Sequence, residues 1–521
     1  MVLTHLILLA TIAKTVAALP LDNNTLPLYR SDVHFNVQQA AAGAVPLNKQ
    51  LMGLSIEFGN TVDYFGDVDN PNTFSKQLLQ NIVDRSRSPA ILRIGGNTQD
   101  RASFCENCEQ TMSSIVLNDP NDPKGTEAVE VTFNKNLFNV LTNNVPAGTP
   151  IIFGLNFRNN SYSLAQAEID GAFKYIDQSL VMAYELGNEV NLYGDIRPPD
   201  YDVNDYASQM REWIPRLRAR SSATSSFQFP SFAGPELFKP DMSISELVRL
   251  DVPQSIPGIE YFSVHGYPWN ICTDEDAAKV DLRNLLDHKQ TLALLDQYSS
   301  EISAAKPLGK KIHMGETGSV ACHGKDGVSN TLGAALWQLD YALTGATAGI
   351  DRFFFHNGKG DFYYSTWEPL PTDTLPVPHI NPRETDEQRG NRYYSMLFIA
   401  DLVADLKVPR IAPITSLDSS SAVHFAIYDN DQMEKLVILN MEYFNETTTR
   451  SSREFNVVSS LGSNLRVRRL TGQSSDARTG VTWAGQSVDA SGGIIRDLSI
   501  ENISTGLVTL LASEAVIVER G

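Results

Sequence analysis

Between residues 51 and about 405 the chain alternates short apolar runs with longer stretches whose apolar residues recur at helical spacing. Eight runs rich in Ile, Val, Leu and Phe have strand length: 51–59, 90–96, 150–157, 180–187, 227–233, 259–265, 310–315 and 349–356. Continuous apolarity, rather than strict alternation, marks strands covered on both faces, as in a parallel sheet sheathed by helices. Residues 74–87, 133–143, 164–177, 205–220, 283–305 and 331–344 carry the period of amphipathic helices, and 387–405 supplies the helix after the eighth run. Strand then helix, eight times over, predicts an α/β fold of the (β/α)8 TIM barrel type. The fifth unit is the weakest, because 226–238 is short and interrupted by proline.

Past residue 405 the pattern changes. Residues 423–428, 436–441, 465–470, 481–483 and 507–518 alternate or cluster at strand length, with Asp, Asn, Ser and Gly turns between them. They predict an accessory antiparallel β-sandwich. Residues 32–46 precede the first barrel strand and include a strand-like 33–37; both barrel ends leave from one side, so this stretch is expected to join the C-terminal sheet. The resulting organisation is a signal peptide at 1–18, an N-terminal segment at 19–46, a (β/α)8 barrel at 47–405 and a β domain at 406–521.

A chain of 521 residues has room for a barrel of ~250 residues and an accessory domain. Its net charge of −19 would repel nucleic acid and sulfated polyanions, and favours solubility in an acidic medium. The signal peptide is read from the apolar stretch 3–18, which is too short to span a bilayer and ends in small residues. It lacks a basic residue ahead of its apolar core, and Lys14 comes late. No later stretch reads as a membrane span, so the product is expected to be secreted. Glycosylation sequons at Asn23, Asn159, Asn445 and Asn502 fit that compartment. An even count of four cysteines suggests disulfides in a secreted chain, and only Cys105 and Cys108 lie close enough to resemble half of a zinc site. No metal, cofactor or obligate protein partner is called for.

Candidate chemistry collects where the runs end, the face at which such barrels carry their sites. Run one ends in Glu57 and Asn60, run two in Arg93, Asn97 and Asp100, and run four in Asn188-Glu189. Run six ends in His265 and Tyr267, run seven in Glu316, and run eight leads through His356 to Tyr363 and Tyr364. A lone glutamate closing a buried strand is as readily a hydrogen-bonded structural group. Two of them on strands four and seven face each other across the barrel mouth. At about 5–5.5 Å apart they would cleave a glycosidic bond with retention, through a covalent intermediate. Glu189 would be the acid/base, kept protonated by a partly apolar setting, and Glu316 the nucleophile, kept ionised by hydrogen bonds from groups such as Tyr267 and by Arg93.

An Asn-Glu acid/base on strand four with a nucleophile on strand seven resembles the clan of retaining (β/α)8 glycosidases. The finer pattern, Leu92-Arg93-Ile94-Gly95-Gly96-Asn97, Gly187-Asn188-Glu189, His265-Gly266-Tyr267 and Gly315-Glu316-Thr317, is similar to glycoside hydrolase family 79, which contains heparanase and microbial β-glucuronidases. The resemblance implies a sugar pocket of Glu57, Asn97, Asp100, Asn188, His265 and Tyr267. It also implies that Tyr364, with Tyr363 as competitor, donates to a uronate carboxylate. Backbone amides after the nucleophile would complete that contact. Here the turn reads Ser319-Val320-Ala321-Cys322-His323-Gly324, poorer in glycine than the family's, and points to His323 and Gly324. Cys322 in this turn and Cys272 in the loop after strand six would form a disulfide pinning the turn, leaving Cys105 to pair with Cys108.

The implied activity is that of a secreted retaining exo-β-glucuronidase acting on terminal glucuronic or 4-O-methyl glucuronic acid, for instance on arabinogalactan side chains. An endo-acting, heparanase-like enzyme would want basic clusters along its cleft, and none stands out. A clan-related β-glucosidase or β-xylosidase and a catalytically silent carbohydrate-binding barrel remain as alternatives.

Overall fold

The computed structural model describes residues 28–32, 42–116, 127–221, 226–233, 242–369, 391–414, 421–447 and 449–521. The expected signal peptide, Asn23 and the strand-like 33–37 lie outside them. Eight parallel strands close into a barrel in chain order: β1 Met52–Glu57, β2 Leu92–Gly95, β3 Ile151–Leu155, β4 Val181–Leu186, β5 Phe227–Phe232, β6 Ile259–Gly266, β7 Lys311–Thr317 and β8 Arg352–Asn357. The eighth returns to the first, with Phe353 to Asn357 in register with Met52 to Ile56. Side chains of β1, β2 and β3 are buried along their whole length, which is why these strands read as unbroken apolar runs.

Helices α1 Thr73–Ser86, α2 Lys135–Asn143, α3 Tyr162–Tyr175, α4 Val203–Ser221, α5 Leu332–Ala348 and α6 Tyr393–Val403 cover the barrel. Asn72 starts α1 by accepting from the Ser75 amide, and Thr331 starts α5 by accepting from Ala334. The single helix expected over 283–305 is three short ones, Leu282–Leu285, His288–Asp296 and Ser299–Ala305. Asp281 and Asp287 each accept a hydrogen bond from the amide two residues on, so the apolar period runs on through helix starts. Between β2 and α2 an unanticipated small sheet, Ala102–Phe104, Met112–Ile115 and Glu130–Phe133, stands on the barrel rim. The disulfide Cys105–Cys108 follows its first strand. No helix among the described residues is long and apolar enough to cross a membrane.

The C-terminal strands are β9 Pro409–Pro413, β10 Ala422–Asp429, β11 Gln432–Asn440, β12 Ser452–Asn456, β13 Leu465–Thr471, β14 Leu507–Leu511 and β15 Glu514–Arg520. The run 507–518 is two strands, not one. Ser513 takes a left-handed backbone (φ 59°) between them, and β14 and β15 join different sheets. One large antiparallel sheet orders β13, β15, β11, β10 and β9, with Val45–Pro46 at its edge. A smaller sheet holds β12 between β14 and Leu28–Asp32, the last pairing parallel. Alternation along β10 and β15 divides the cores: Ala426, Tyr428, Val516 and Val518 face the small sheet, while Phe425, Ile427, Ala515 and Ile517 join the core of the barrel. The β unit thus shares an apolar interior with the barrel and braces α5 and α6 against it.

Candidate active site

Glu316, on β7, is 7% exposed and fully engaged. Its Oε2 accepts from Arg93 Nη1 at 2.7 Å, and its Oε1 from the Tyr267 hydroxyl at 2.9 Å. His356 Nδ1 lies 3.6 Å from Oε2. Burial alone would raise the carboxyl, but the charges of His356, His265 and Arg93 outweigh it and hold Glu316 well below the usual carboxylate range. Burial, then the Glu316 charge, pushes the Tyr267 phenol far up, so it stays protonated and donates.

Arg93 organises this site from beneath. Wholly buried on β2, it reaches Glu185 on β4 through Nε (3.0 Å) and Nη2, Ser55 Oγ (3.0 Å), Glu316, and Asn188 Oδ1 (2.8 Å). A planar fork of five donors can meet two carboxylates and an amide together; a lysine could not. Glu185 supplies the second negative charge that makes a buried guanidinium tolerable.

At the end of β4 the chain turns sharply. Gly187 has φ 84° and Glu189 φ 48°. A Cβ at Gly187 would fall 2.8 Å from the Tyr193 hydroxyl, so glycine is required both by conformation and by space. Glu189 is the more open carboxylate, 20% exposed, with Oε1 3.0 Å from His265 Nδ1. One oxygen of Glu189 and one of Glu316 lie within 4.8 Å of each other, with a His265 nitrogen in the same cluster. A cation there would compete with the Arg93 guanidinium already on Glu316. The geometry suits two carboxylates bracketing an organic substrate. Beside Glu189 opens a cleft of about 210 Å³, bounded by Asn97, Asn188, Arg101, Arg158 and Leu192, with Asp100 and Tyr193 at its wall.

The remaining expected residues divide. Asn188 donates to Asn97 Oδ1 at 3.2 Å, and Asn97 is exposed at the rim. Glu57 accepts from the Thr98 amide (2.8 Å) and hydroxyl, and from His356 Nε2 at 3.1 Å. Asp100, expected to contact the sugar, lies at the wall of the cleft with its carboxylate turned to the protein. It is 2% exposed, and its oxygens are occupied by the amides of Phe157, Arg158 and Asn188 and by the Tyr193 hydroxyl. Burial pushes its carboxyl up to about 6 against those hydrogen bonds.

In the turn after β7, Cys322, His323 and Gly324 have φ of 61°, 76° and 82°, three left-handed residues in succession. The Cys272–Cys322 disulfide ties this turn to the loop after β6, where the Ala321 amide also donates to the Trp269 carbonyl at 2.7 Å. A Cβ on Gly324 would fall 2.6 Å from the Tyr364 amide, so the turn lies directly on the segment after β8. Tyr364 is buried with its ring 5.9 Å from those of Tyr267 and His356, whereas Tyr363 is half-exposed. Of the two tyrosines it is Tyr364 that reaches the cluster.

Sequence reasoning assigned no role to His356 and missed Glu185, Ser55 and Glu127. The Glu127 carboxylate receives the Asn97 amide at 3.1 Å, with His323 Nε2 at 3.3 Å and Arg101 at 3.5 Å, so it bridges the loops after β2 and β7. No strand-end pattern marks it, because it lies in the loop that leads into the rim strand Glu130–Phe133 and not on the barrel.

Comparison with known proteins bears on this arrangement. The family model described as the glycosyl hydrolase family 79 C-terminal beta domain matches residues 424–517. A β-glucuronidase of Aspergillus niger is 26% identical over 99% of this chain and 96% of its own length. A β-glucuronidase of Neurospora crassa is 26% identical over 89% and 88%. The solved structure of a 4-O-α-L-rhamnosyl-β-D-glucuronidase from Fusarium oxysporum superposes with a TM-score of 0.76 at 24% identity, covering 94% of this chain and all of that one, and speaks for the fold alone. On the strength of the matched β domain and of likeness running nearly end to end, the chain is similar to glycoside hydrolase family 79 and is a glycoside hydrolase.

Proposed function

We propose that the protein is a secreted retaining exo-β-glucuronidase that removes terminal β-linked glucuronic acid, or its 4-O-methyl ether, from glycans. The carrying observation is the ionised Glu316 between Arg93 and Tyr267, with an oxygen of Glu189 within 4.8 Å. An inverting pair would stand about 6.5–9.5 Å apart, leaving room for water. In this reading Glu189 protonates the leaving glycosidic oxygen while Glu316 attacks the anomeric carbon, forming a glycosyl ester. Glu189, now ionised, takes a proton from water as that water displaces Glu316, which restores both groups.

For the sugar, Glu57, Asn97 and Asn188 hold hydroxyls. The Tyr364 phenol, kept protonated by burial and by the nearby charges of Glu316, Glu127 and Glu57, meets the uronate carboxylate together with amides of His323 and Gly324. Likeness to two fungal β-glucuronidases supports that sugar. The division into signal peptide 1–18, N-terminal segment 19–46, barrel 47–405 and β domain 406–521 belongs to the same proposal. So do glycans on Asn159 and Asn502, both exposed, and on the half-buried Asn445.

The test sets 4-nitrophenyl β-glucuronide beside the corresponding β-glucoside and heparan sulfate, and follows the first-released anomer by NMR. Expected are preference for the glucuronide and initial release of the β anomer. Faster turnover of the glucoside would remove the sugar assignment, polymer cleavage alone would remove the exo assignment, and an α anomer first would remove retention.

A further inference from the structure

The left-handed turn that presents Glu189 is closed from behind by one buried carboxylate. Asp100 Oδ2 accepts from the backbone amide of Asn188, the residue before Glu189, at 2.9 Å, and from the Tyr193 hydroxyl four residues beyond Glu189. The Leu192 amide donates to the Glu189 carbonyl at 2.8 Å, so the intervening residues form a single tight loop with both ends on that oxygen. Asp100 Oδ1 accepts from Phe157 at 3.0 Å and Arg158 at 3.2 Å, which moors the loop to the end of β3. Arg197 seals the outer side: its guanidinium lies over the rings of Phe157 and Tyr193, and donates to the carbonyls of Phe157 (2.8 Å) and Arg158 (2.9 Å).

A carboxylate offers about four lone-pair sites, and here four protein donors fill them. Asp100 therefore has no capacity left for a sugar hydroxyl. It holds the residue that precedes the group that must deliver a proton to the departing oxygen, where a displacement of an ångström matters greatly. We propose that Asp100 is a positioning residue for proton transfer: it fixes the Asn188–Glu189 turn so that the Glu189 carboxyl meets the leaving oxygen. The idea rests on the acid/base assignment made above for Glu189, and is independent of which sugar occupies the pocket.

The test exploits the fact that a good leaving group needs no proton. Asp100→Asn and Tyr193→Phe are compared with the parent on phenyl and 2,4-dinitrophenyl β-glucuronides, reading kcat/KM, which reports bond cleavage. General acid catalysis supplies about 10²–10⁴-fold. In Asp100→Asn, kcat/KM for the phenyl substrate is expected to fall about 100-fold while that for the dinitrophenyl substrate falls only a few-fold. Tyr193→Phe keeps the carboxylate and loses one donor, so the same selectivity should appear in smaller measure, and it decides the matter should Asp100→Asn not fold. Equal losses on both substrates in the folded variants would overturn the proposal, because a general loss of structure or of sugar binding does not distinguish leaving groups. If the parent itself prefers glucosides, the sugar assignment fails alone, and the same ratio measured on aryl glucosides still decides the role of Asp100.

Discussion

Glu316 and Glu189 are chemically identical side chains, and their surroundings give them different work. Glu316 receives a guanidinium and a phenol; Glu189 stands at the cleft with His265. Glu316→Gln should abolish turnover by several orders of magnitude while the fold, followed by circular dichroism, is retained. Arg93→Gln tests the electrostatic argument. Glu316 lies well below the ordinary range because charges outweigh burial, so its ionisation should not limit activity in mild acid. Removing one of those charges lets burial assert itself and raises the Glu316 pKa, so the acidic limb of the kcat/KM profile should move to higher pH. An unmoved limb would mean that Arg93 is only a structural tie. Glu316, Asn188 and Glu189 stand out in the sequence because each sits at a strand end. Asp100 follows one too, and strand-end position tells that a carboxylate is near the mouth, not that four protein donors fill its lone pairs.

Elements matter here chiefly where they are joined. The Cys322–Gly324 turn places three left-handed residues in a row, two of them with side chains that disfavour that backbone. A disulfide to the loop after β6 and the packing of Gly324 against the Tyr364 backbone hold it. If this turn grips the uronate carboxylate, Cys272→Ser with Cys322→Ser should raise KM for a glucuronide about tenfold or more, the scale on which lost preorganisation weakens binding. Cleavage of the bound substrate should change far less, because Glu316 is anchored independently on β7. An unchanged KM would release the turn from that role. The pairing of these cysteines was legible from the strand order, since loops after neighbouring strands are neighbours. The break of 283–305 into three helices was less so, because Asp281 and Asp287 cap through local backbone contacts that leave the apolar period intact.

At the scale of the whole molecule, the large C-terminal sheet is buried on both faces, one against the small sheet and one against the barrel core. Phe425→Ala, on the barrel-facing side of β10, should cost about 3–5 kcal/mol. Barrel and β unit should then melt together in one transition, readable by calorimetry, since the cavity opens in their shared interior. Two separate transitions would show that the units are energetically independent. Asp100 makes a second global prediction. Its carboxyl is raised to about 6 in the folded state from an ordinary 3.8, so the stability it contributes is fully present below about 4 and is lost as pH rises through about 6. The loss is on the order of 3 kcal/mol. Relative to the parent, the Tm of Asp100→Asn should therefore climb as pH increases through that window. A difference that does not vary with pH would mean that Asp100 titrates normally.

The sequence by itself determined the eight-fold order of strand and helix, the antiparallel tail, and the two glutamates with their relation across the barrel. All of these follow from local period and from position along a repeating topology. Tertiary structure alone decided which polar groups meet. Arg93, Glu185, Gln228 and His313 lie inside runs that read as strand because their neighbours are apolar, yet closure of the barrel turns these four side chains inward onto one another and onto Glu316. Glu127 reaches Asn97 and His323 from the loop that leads into the rim sheet, far from either along the chain. Periodicity reports which face of a strand is buried. It carries no record of which distant side chain fills a given lone pair, since that depends on closure of the barrel and on loops brought together from far along the chain.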